Sequence, residues 1–342
     1  MTALTEAGPV PPLTRPALSV ILIAFDGGSA LASVLRALQA QTVQPLLELV
    51  LVVAGGQPMQ LEPAWIAGFH GVQLLERPAL EAVGTAYACG VRAAHADVVA
   101  FSEDHCLPEP GWAEALLAAH HPAVAAVGPS LRNANPGNAV SWADMLIGYG
   151  PWLAPVPGGA VSFLPGHNSS YRRSILLAYG ETLAAFLDQE TLLHWDLRRR
   201  GYRLLLQASA VVAHTNFGTL HPWLPVQFRC GRRFAAARAS LNRWSRPQRW
   251  LYGLAAPLIP PLRLWRTLAA HRLRSPQLRP LPRGTWLLTA LGLGVDALGQ
   301  ALGYWAGPGR SAAGLMQAEA DRLRWLGSSR NPAVGVEPDH PC

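Results

Sequence analysis

Lysine is missing from this chain: all 28 of its basic residues are arginine. Chemistry that rests on a lysine is thereby excluded, including the phosphate-cradling Gly-Lys loop, a Schiff base and a kinase. Cysteine is scarce as well. The four present, Cys89, Cys106, Cys230 and Cys342, are scattered and form no C-x-x-C pair. Neither a disulfide framework nor a zinc knuckle is expected, and a reducing compartment is. Charged residues make up only 14% of the chain against 50% hydrophobic ones, at a mean hydropathy of +0.16. That balance excludes a disordered or fibrous protein and is oilier than an ordinary soluble enzyme. No basic stretch followed by an apolar one opens the sequence, so no secretory signal is expected. A length of 342 residues leaves room for one large domain or two smaller ones.

Acids are absent from a long stretch. Residues 1–196 hold 7 arginines against 16 acids, whereas residues 197–295 hold 17 arginines and no acid. A run of that kind attracts polyanions, either nucleic acid or an anionic membrane face. Its arginines are interleaved with Trp244, Trp250, Leu251, Tyr252, Leu254, Leu258, Ile259, Leu262, Leu264 and Trp265. Aromatics and aliphatics in that company suit a bilayer interface, so a membrane surface is the expected partner and nucleic acid is not. An ordinary basic surface over buried tryptophans is the plainer alternative. Residues 286–306 form a further apolar run about long enough to span a bilayer, but they include Asp296, Gln300 and several glycines. An interfacial or re-entrant helix is the first reading there, and a span the second.

Residues 18–25 and 47–53 are continuous apolar runs rich in β-branched residues, as buried parallel strands require. Shorter strands are expected at 72–75 and 98–101, with helices at 29–41, 82–94 and 112–120. That alternation predicts a parallel α/β sheet with its ligand at the carboxyl ends of the strands. Asp26, the Gly55-Gly56 turn and residues 102–105 then share one rim. Beyond residue 124 the pattern loosens into Gly/Pro-rich loops at 133–138 and 148–159. A loop or strand end follows at 163–171, then a helix at 183–200 and a last strand from 203 that ends at His214.

Glu103-Asp104-His105 is the cluster of interest. In extended chain, residues two apart point the same way, and a carboxylate with an imidazole can hold a divalent cation such as Mn²⁺. An acidic strand end in solvent is the plain alternative. His214, at another strand end, is either a hydrogen-bonded structural residue or a third ligand. Glu190 opens an amphipathic run. The helix dipole favours an acid there regardless of function, and a general base is the functional reading.

These segments together resemble the family 2 glycosyltransferases of GT-A fold, over about residues 18–239. The stretches LSVILIAFDGGSALASVLRALQAQT, ADVVAFSEDHCLPEPGWAEALL, FLPGHNSSYRRSILLAYG, ETLLHWDLRRRGYRL and VVAHTNFGTLHPWLPVQFRCGRRFAAARA carry the likeness, in the family's order. The resemblance implies a Rossmann-like mixed sheet with flanking helices at 17–240. A flexible tail at 1–16, membrane-associated helices at 241–310 and a C-terminal tail at 311–342 complete the chain. It implies an inverting, metal-assisted sugar transfer from a nucleoside-diphosphate sugar to a hydroxyl acceptor at the cytoplasmic face of a membrane. That acceptor would be a glycan, a lipid-linked sugar or a cell-envelope precursor. Glu190 takes the base position. Ala24, Asp26, Gly55, Glu103, Asp104, Gly166 and Asn168 fall on donor-binding positions, with His167 near them. Glu103, His105 and His214 fall on the metal site for Mn²⁺ or Mg²⁺. Several positions depart from the pattern: Ala54-Gly55-Gly56 ends the second strand where an Asp is usual, Cys89 replaces an Asn, and the QxxRW motif is absent. A catalytically degenerate scaffold at a membrane is therefore the alternative function.

Overall fold

The computed structural model describes residues 15–24, 29–54, 59, 61–77, 82–274 and 280–321. Its sheet has nine strands: β1 (Leu18–Ala24), β2 (Leu47–Ala54), β3 (Gly71–Arg77), β4 (Val98–Glu103), β5 (Cys106–Pro108), β6 (Val124–Asn133), β7 (Gly159–Ala160), β8 (Ser170–Arg172) and β9 (Arg203–His214). The order is β3-β2-β1-β4-β8-β6-β9-β5, with β7 on β9. Every residue of β1 is buried, because helices cover both faces of a central parallel strand. Leu18, Val20 and Leu22 face α1 (Ser29–Gln39), and the alternate Ile21 and Ile23 face the opposite layer. Leu31, Val34, Leu35 and Leu38 of α1 are all buried, as their helical spacing predicts.

The remaining helices are α2 (Pro63–Ile66), α3 (Val83–Ala93), α4 (Trp112–Ala119), α5 (Ala139–Tyr149), α6 (Arg173–Leu177), α7 (Leu183–Leu187), α8 (Glu190–Arg199), α9 (Leu220–Leu241), α10 (Arg246–Ala255), α11 (Ile259–Arg274), α12 (Thr285–Ala306) and α13 (Ser311–Ala320).

The structure differs from the local reading in several places. The sheet is mixed, since β8 lies between β4 and β6 and runs antiparallel to both. β6 and α5 stand where the pattern loosens. Within β6, Pro129 sits at a register shift, and a Cβ on Gly128 would lie 2.7 Å from Leu164. Asn138 caps α5 by accepting from the Ser141 N–H at 2.8 Å. The expected helix at 183–200 is two, α7 and α8, parted at Asp188-Gln189. Part of the expected C-terminal tail is α13, whose small residues carry no clear apolar period.

α12 lies along α9. A Cβ on Gly299 would come within 2.1 Å of the Phe228 carbonyl, and one on Gly303 within 2.2 Å of that of Arg232. Two of the glycines that read as unsuited to a span therefore make a close helix contact. Asp296 is buried in the same region, accepting from Gln300 Nε2 at 2.8 Å and Arg263 at 3.1 Å. The other face of α12 exposes Leu287 and Leu298.

One buried group ties this packing to pH. His194 is fully buried, with Leu164 N–H donating to its Nδ1 at 3.4 Å and the Tyr171 hydroxyl 2.8 Å from its Nε2. Nδ1 must accept, so a second ring proton would face an N–H. Burial accordingly pushes its pKa down to about 3. The unfolded chain protonates near pH 6.5, so the stability held by the neutral ring is complete above that pH and is lost as pH falls toward 3. Between pH 7 and pH 5 this group is expected to cost about 2 kcal/mol. Urea midpoints measured across that range should fall less steeply for His194→Gln. An equal slope for both proteins would assign the acid sensitivity elsewhere.

Candidate active site

β4 ends at Glu103, and the chain then turns through Asp104-His105 into β5. The turn, rather than the alternation of extended chain, aims Glu103 and His105 at one point. β5 pairs with β9 in a register that sets Cys106 opposite His214, and Thr215 N–H donates to the His105 carbonyl at 3.0 Å. Strand pairing thus brings together residues more than a hundred positions apart. The ligand atoms of Glu103, His105, Cys106 and His214 all lie within 4.8 Å of one another.

Both imidazoles are held by their far nitrogen. His105 Nδ1 lies 3.0 Å from Asp104 Oδ1, and His214 Nδ1 lies 2.9 Å from Asn216 Oδ1. These acceptors fix Nδ1–H tautomers and leave both Nε2 lone pairs inward. His105 Nε2 is buried without a hydrogen bond, 3.6 Å from Glu103 Oε2, and His214 Nε2 is 3.9 Å from the same oxygen. Two imidazole nitrogens and a carboxylate converging on one point are a donor set for a divalent cation. The residues present therefore fit the metal that the family pattern implies, with Cys106 Sγ 3.1 Å from Glu103 Oε2 as a neighbour the sequence did not single out. Asn216 is itself held by Asn133 and Asn135, at 3.0 Å and 2.9 Å.

His167 joins this cluster to Glu190. Its Nδ1 lies 3.0 Å from Glu103 Oε1, and its Nε2 pairs with Glu190 Oε1. Burial opposes a charge on His167, but Glu190 and Glu103 outweigh it and hold the pKa well above the usual value. Burial likewise opposes the charge of Glu103, and the imidazoles of His105, His167 and His214, when protonated, hold its carboxyl well below the usual range. Asn168, also buried, donates to Glu103 Oε2 at 3.3 Å. Gly166 is obligatory here: a Cβ would lie 2.6 Å from Cβ and Cδ of Glu190. Glu190 is the first residue of α8, as the run predicts, and the break before it turns its side chain to this cavity.

The cavity measures about 220 Å³ and includes Glu103, Asp104, His105, His167 and Glu190 in its walls. Of the other expected donor-binding residues, Ala24 is the buried last residue of β1, while Asp26 and Gly55 lie outside the described residues. Asp104 orients His105 from within the turn. The far wall was not anticipated. Cys230 and Arg233 of α9 and Leu315 and Glu319 of α13 line the same cavity, and Arg233 pairs with Asp188, which also accepts from the Gly84 N–H at 3.2 Å. Burial lowers the Arg233 pKa to about 10. No local signal marks Arg233 within an arginine-rich run. Only the cavity does.

A mixed sheet of this order, with a carboxylate-imidazole cluster where β4 ends, is the GT-A-type architecture that the resemblance implies. Residues 19–180 match the family described as Glycosyl transferase family 2. Among curated proteins none matches. Among solved structures, the fold is similar to GalNAc-T7 with UDP, GalNAc and Mn²⁺ at 14% identity and a TM-score of 0.46, covering 59% of this chain and 44% of that one. It is also similar to the mannosyltransferase PcManGT from Pyrobaculum calidifontis in complex with GDP-Man and Mn²⁺, at 16% identity and a TM-score of 0.49, over 92% of this chain and 88% of that one. A mycobacterial protein follows at 17% identity and a TM-score of 0.44, over 67% and 75% of the two chains. The chain thus spans less than half the length of the first of these.

Proposed function

We propose that this protein transfers a sugar from a nucleoside-diphosphate sugar to a hydroxyl acceptor, with inversion, at the cytoplasmic face of a membrane. The observation that carries the reading is the convergence of Glu103, His105 and His214 on one point, with Glu190 linked to it through His167 across a single cavity. Glu103, His105 and His214 would hold Mn²⁺ or Mg²⁺, which when bound neutralises a departing diphosphate. Glu190 takes the proton from the acceptor hydroxyl as its oxygen attacks the anomeric carbon. The bond from that carbon to the phosphate oxygen breaks with its electron pair on the diphosphate, and the new bond forms on the opposite face. His167, clamped between two carboxylates, fixes the position of Glu190 relative to Glu103. Gly166 lets the Glu190 side chain lie against the backbone. Most of the rate then comes from positioning and electrostatics. Release of nucleoside diphosphate from a panel of UDP, GDP and ADP sugars with Mn²⁺ tests the reading. Calorimetry that detects no binding of any donor would replace it with a non-catalytic scaffold.

The membrane part rests on the C-terminal helices. α12 is long and apolar enough to cross a bilayer, but 44% of its apolar window is buried in the protein. α10, α11 and the single helical turn between them expose Trp250, Leu251, Leu254, Leu258 and Trp265 beside Arg246, Arg249 and Arg266, and each of the five apolar side chains is more than half exposed. Such a face lies in the headgroup layer rather than across it. Trp250→Ala/Leu254→Ala/Leu258→Ala/Trp265→Ala is expected to float at least about tenfold less with vesicles of 30 mol% phosphatidylglycerol. Donor binding should be unchanged. Undiminished flotation would end the interfacial assignment.

A further inference from the structure

Helices α9 and α13 wall two cavities. Cys230 and Arg233 face the catalytic one, while Arg229 and Arg232 line a second, open groove of about 750 Å³. Neighbouring residues on a helix lie about 100° apart, which is why adjacent positions serve different cavities. Leu224, Phe228 and Val295 supply apolar wall, and Arg310, at the start of α13, brings a third guanidinium. The lining contains no acid, and among the described residues none of these three arginines pairs with a carboxylate.

Two of the guanidiniums are seated by backbone. Arg232 Nε donates to the Gly307 carbonyl at 2.9 Å, and Arg229 donates to that of Gly314 at 3.4 Å. A Cβ on Gly309 would lie 2.6 Å from Arg232, and one on Gly314 would lie 2.5 Å from Arg229 Nε. A side chain at either glycine would therefore push the guanidinium aside. An arginine has five N–H donors, so each keeps most of its fork after this contact.

We propose that this groove binds a phosphate-bearing amphiphile, its phosphate held by Arg229, Arg232 and Arg310 and its hydrocarbon chain laid on Leu224, Phe228 and Val295. Arginine forks match phosphate oxygens in pairs, and unpaired guanidiniums over an apolar wall suit a charged head with an oily tail better than a soluble anion. Helix thickness is about 10 Å, so a phosphate held here sits close behind the catalytic cavity. That placement suits an acceptor carried on a lipid phosphate, an identification that rests on the glycosyl transfer proposed above. Binding of the amphiphile does not rest on it. A phospholipid of the bilayer presents the same chemistry.

Calorimetry on the full chain, with each lipid kept below its micelle concentration, tests the groove. Dodecyl phosphate is expected to bind saturably, and inorganic phosphate and dodecyl maltoside at least about tenfold more weakly, since each lacks half of the recognised chemistry. Arg229→Gln/Arg232→Gln/Arg310→Gln should lose at least about tenfold. Gly314→Ala, which leaves the charge unchanged, should also weaken binding by displacing Arg229. Arg310 is exposed, so Arg310→Gln serves if the triple variant fails to fold, and it too should bind less tightly. Dioctanoyl phosphatidylglycerol separates the sources: binding as tight as dodecyl phosphate assigns the groove to bilayer phospholipid, and weaker binding assigns it to a phosphate monoester acceptor. Retention of dodecyl phosphate by the arginine variants, or equal binding of dodecyl maltoside, would overturn the proposal. Donor-dependent nucleoside-diphosphate release from the same samples reports separately on the catalytic reading.

Discussion

Glu190→Gln is expected to lower the turnover of sugar transfer by about a thousandfold, within the range a positioned general base supplies. Glutamine keeps the shape and can still lie against Gly166, so the cavity should stay intact. It cannot accept the acceptor's proton. Its weaker pairing with His167 is a secondary effect, because His167 is also held by Glu103 at 3.0 Å. Donor affinity, measured by calorimetry with Mn²⁺, should therefore change little while turnover collapses. That split is diagnostic, since a residue serving only structure would lower both together. Transfer at the wild-type rate would remove Glu190 from the chemistry and leave the cavity without an identified base.

His105→Ala carries the second large effect. It removes one of two inward lone pairs from a cluster whose ligand atoms lie within 4.8 Å of one another. Mn²⁺ binding, read by the loss of the free-ion electron spin resonance signal, is expected to weaken at least about a hundredfold, and turnover with it. His214→Ala should do the same, and the double variant should be little worse than either, because the ligands act as a unit. Asp104→Asn, which only loosens the hold on His105 Nδ1, should cost about tenfold to a hundredfold in metal affinity. Chelation of divalent ions should silence the wild type, and added Mn²⁺ should restore it. Wild-type Mn²⁺ affinity in His105→Ala would refute the metal site.

Much of this site was legible as pieces. The apolar run before Glu103 marks a buried strand, and an acid-acid-histidine end to it is chemically conspicuous. Glu190 stands where an amphipathic helix begins, and β9 ends at His214 as its sequence predicts. What joins the pieces was not legible. The turn at Asp104-His105 is formed by residues that a strand pattern extends through. His167 lies in a stretch that reads locally as a loop or strand end, yet it bridges both carboxylates. β6 itself falls where the pattern loosens, and its Gly128 is closely packed by Leu164. The glycines of α12 read as interruptions until α9 lies against them.

By itself the sequence determined the buried strands β1, β2 and β4 and the amphipathic helix α1, because hydrophobic period is a property of neighbouring residues. It also determined the arginine-rich, acid-free character of residues 197–295. Only the tertiary structure decided which residues would meet. Pairing of β5 with β9 sets His105 beside His214, and the packing of α9 and α13 closes the cavity and opens a second groove. Such meetings depend on strand register and helix approach across a hundred residues or more, and no local pattern encodes either.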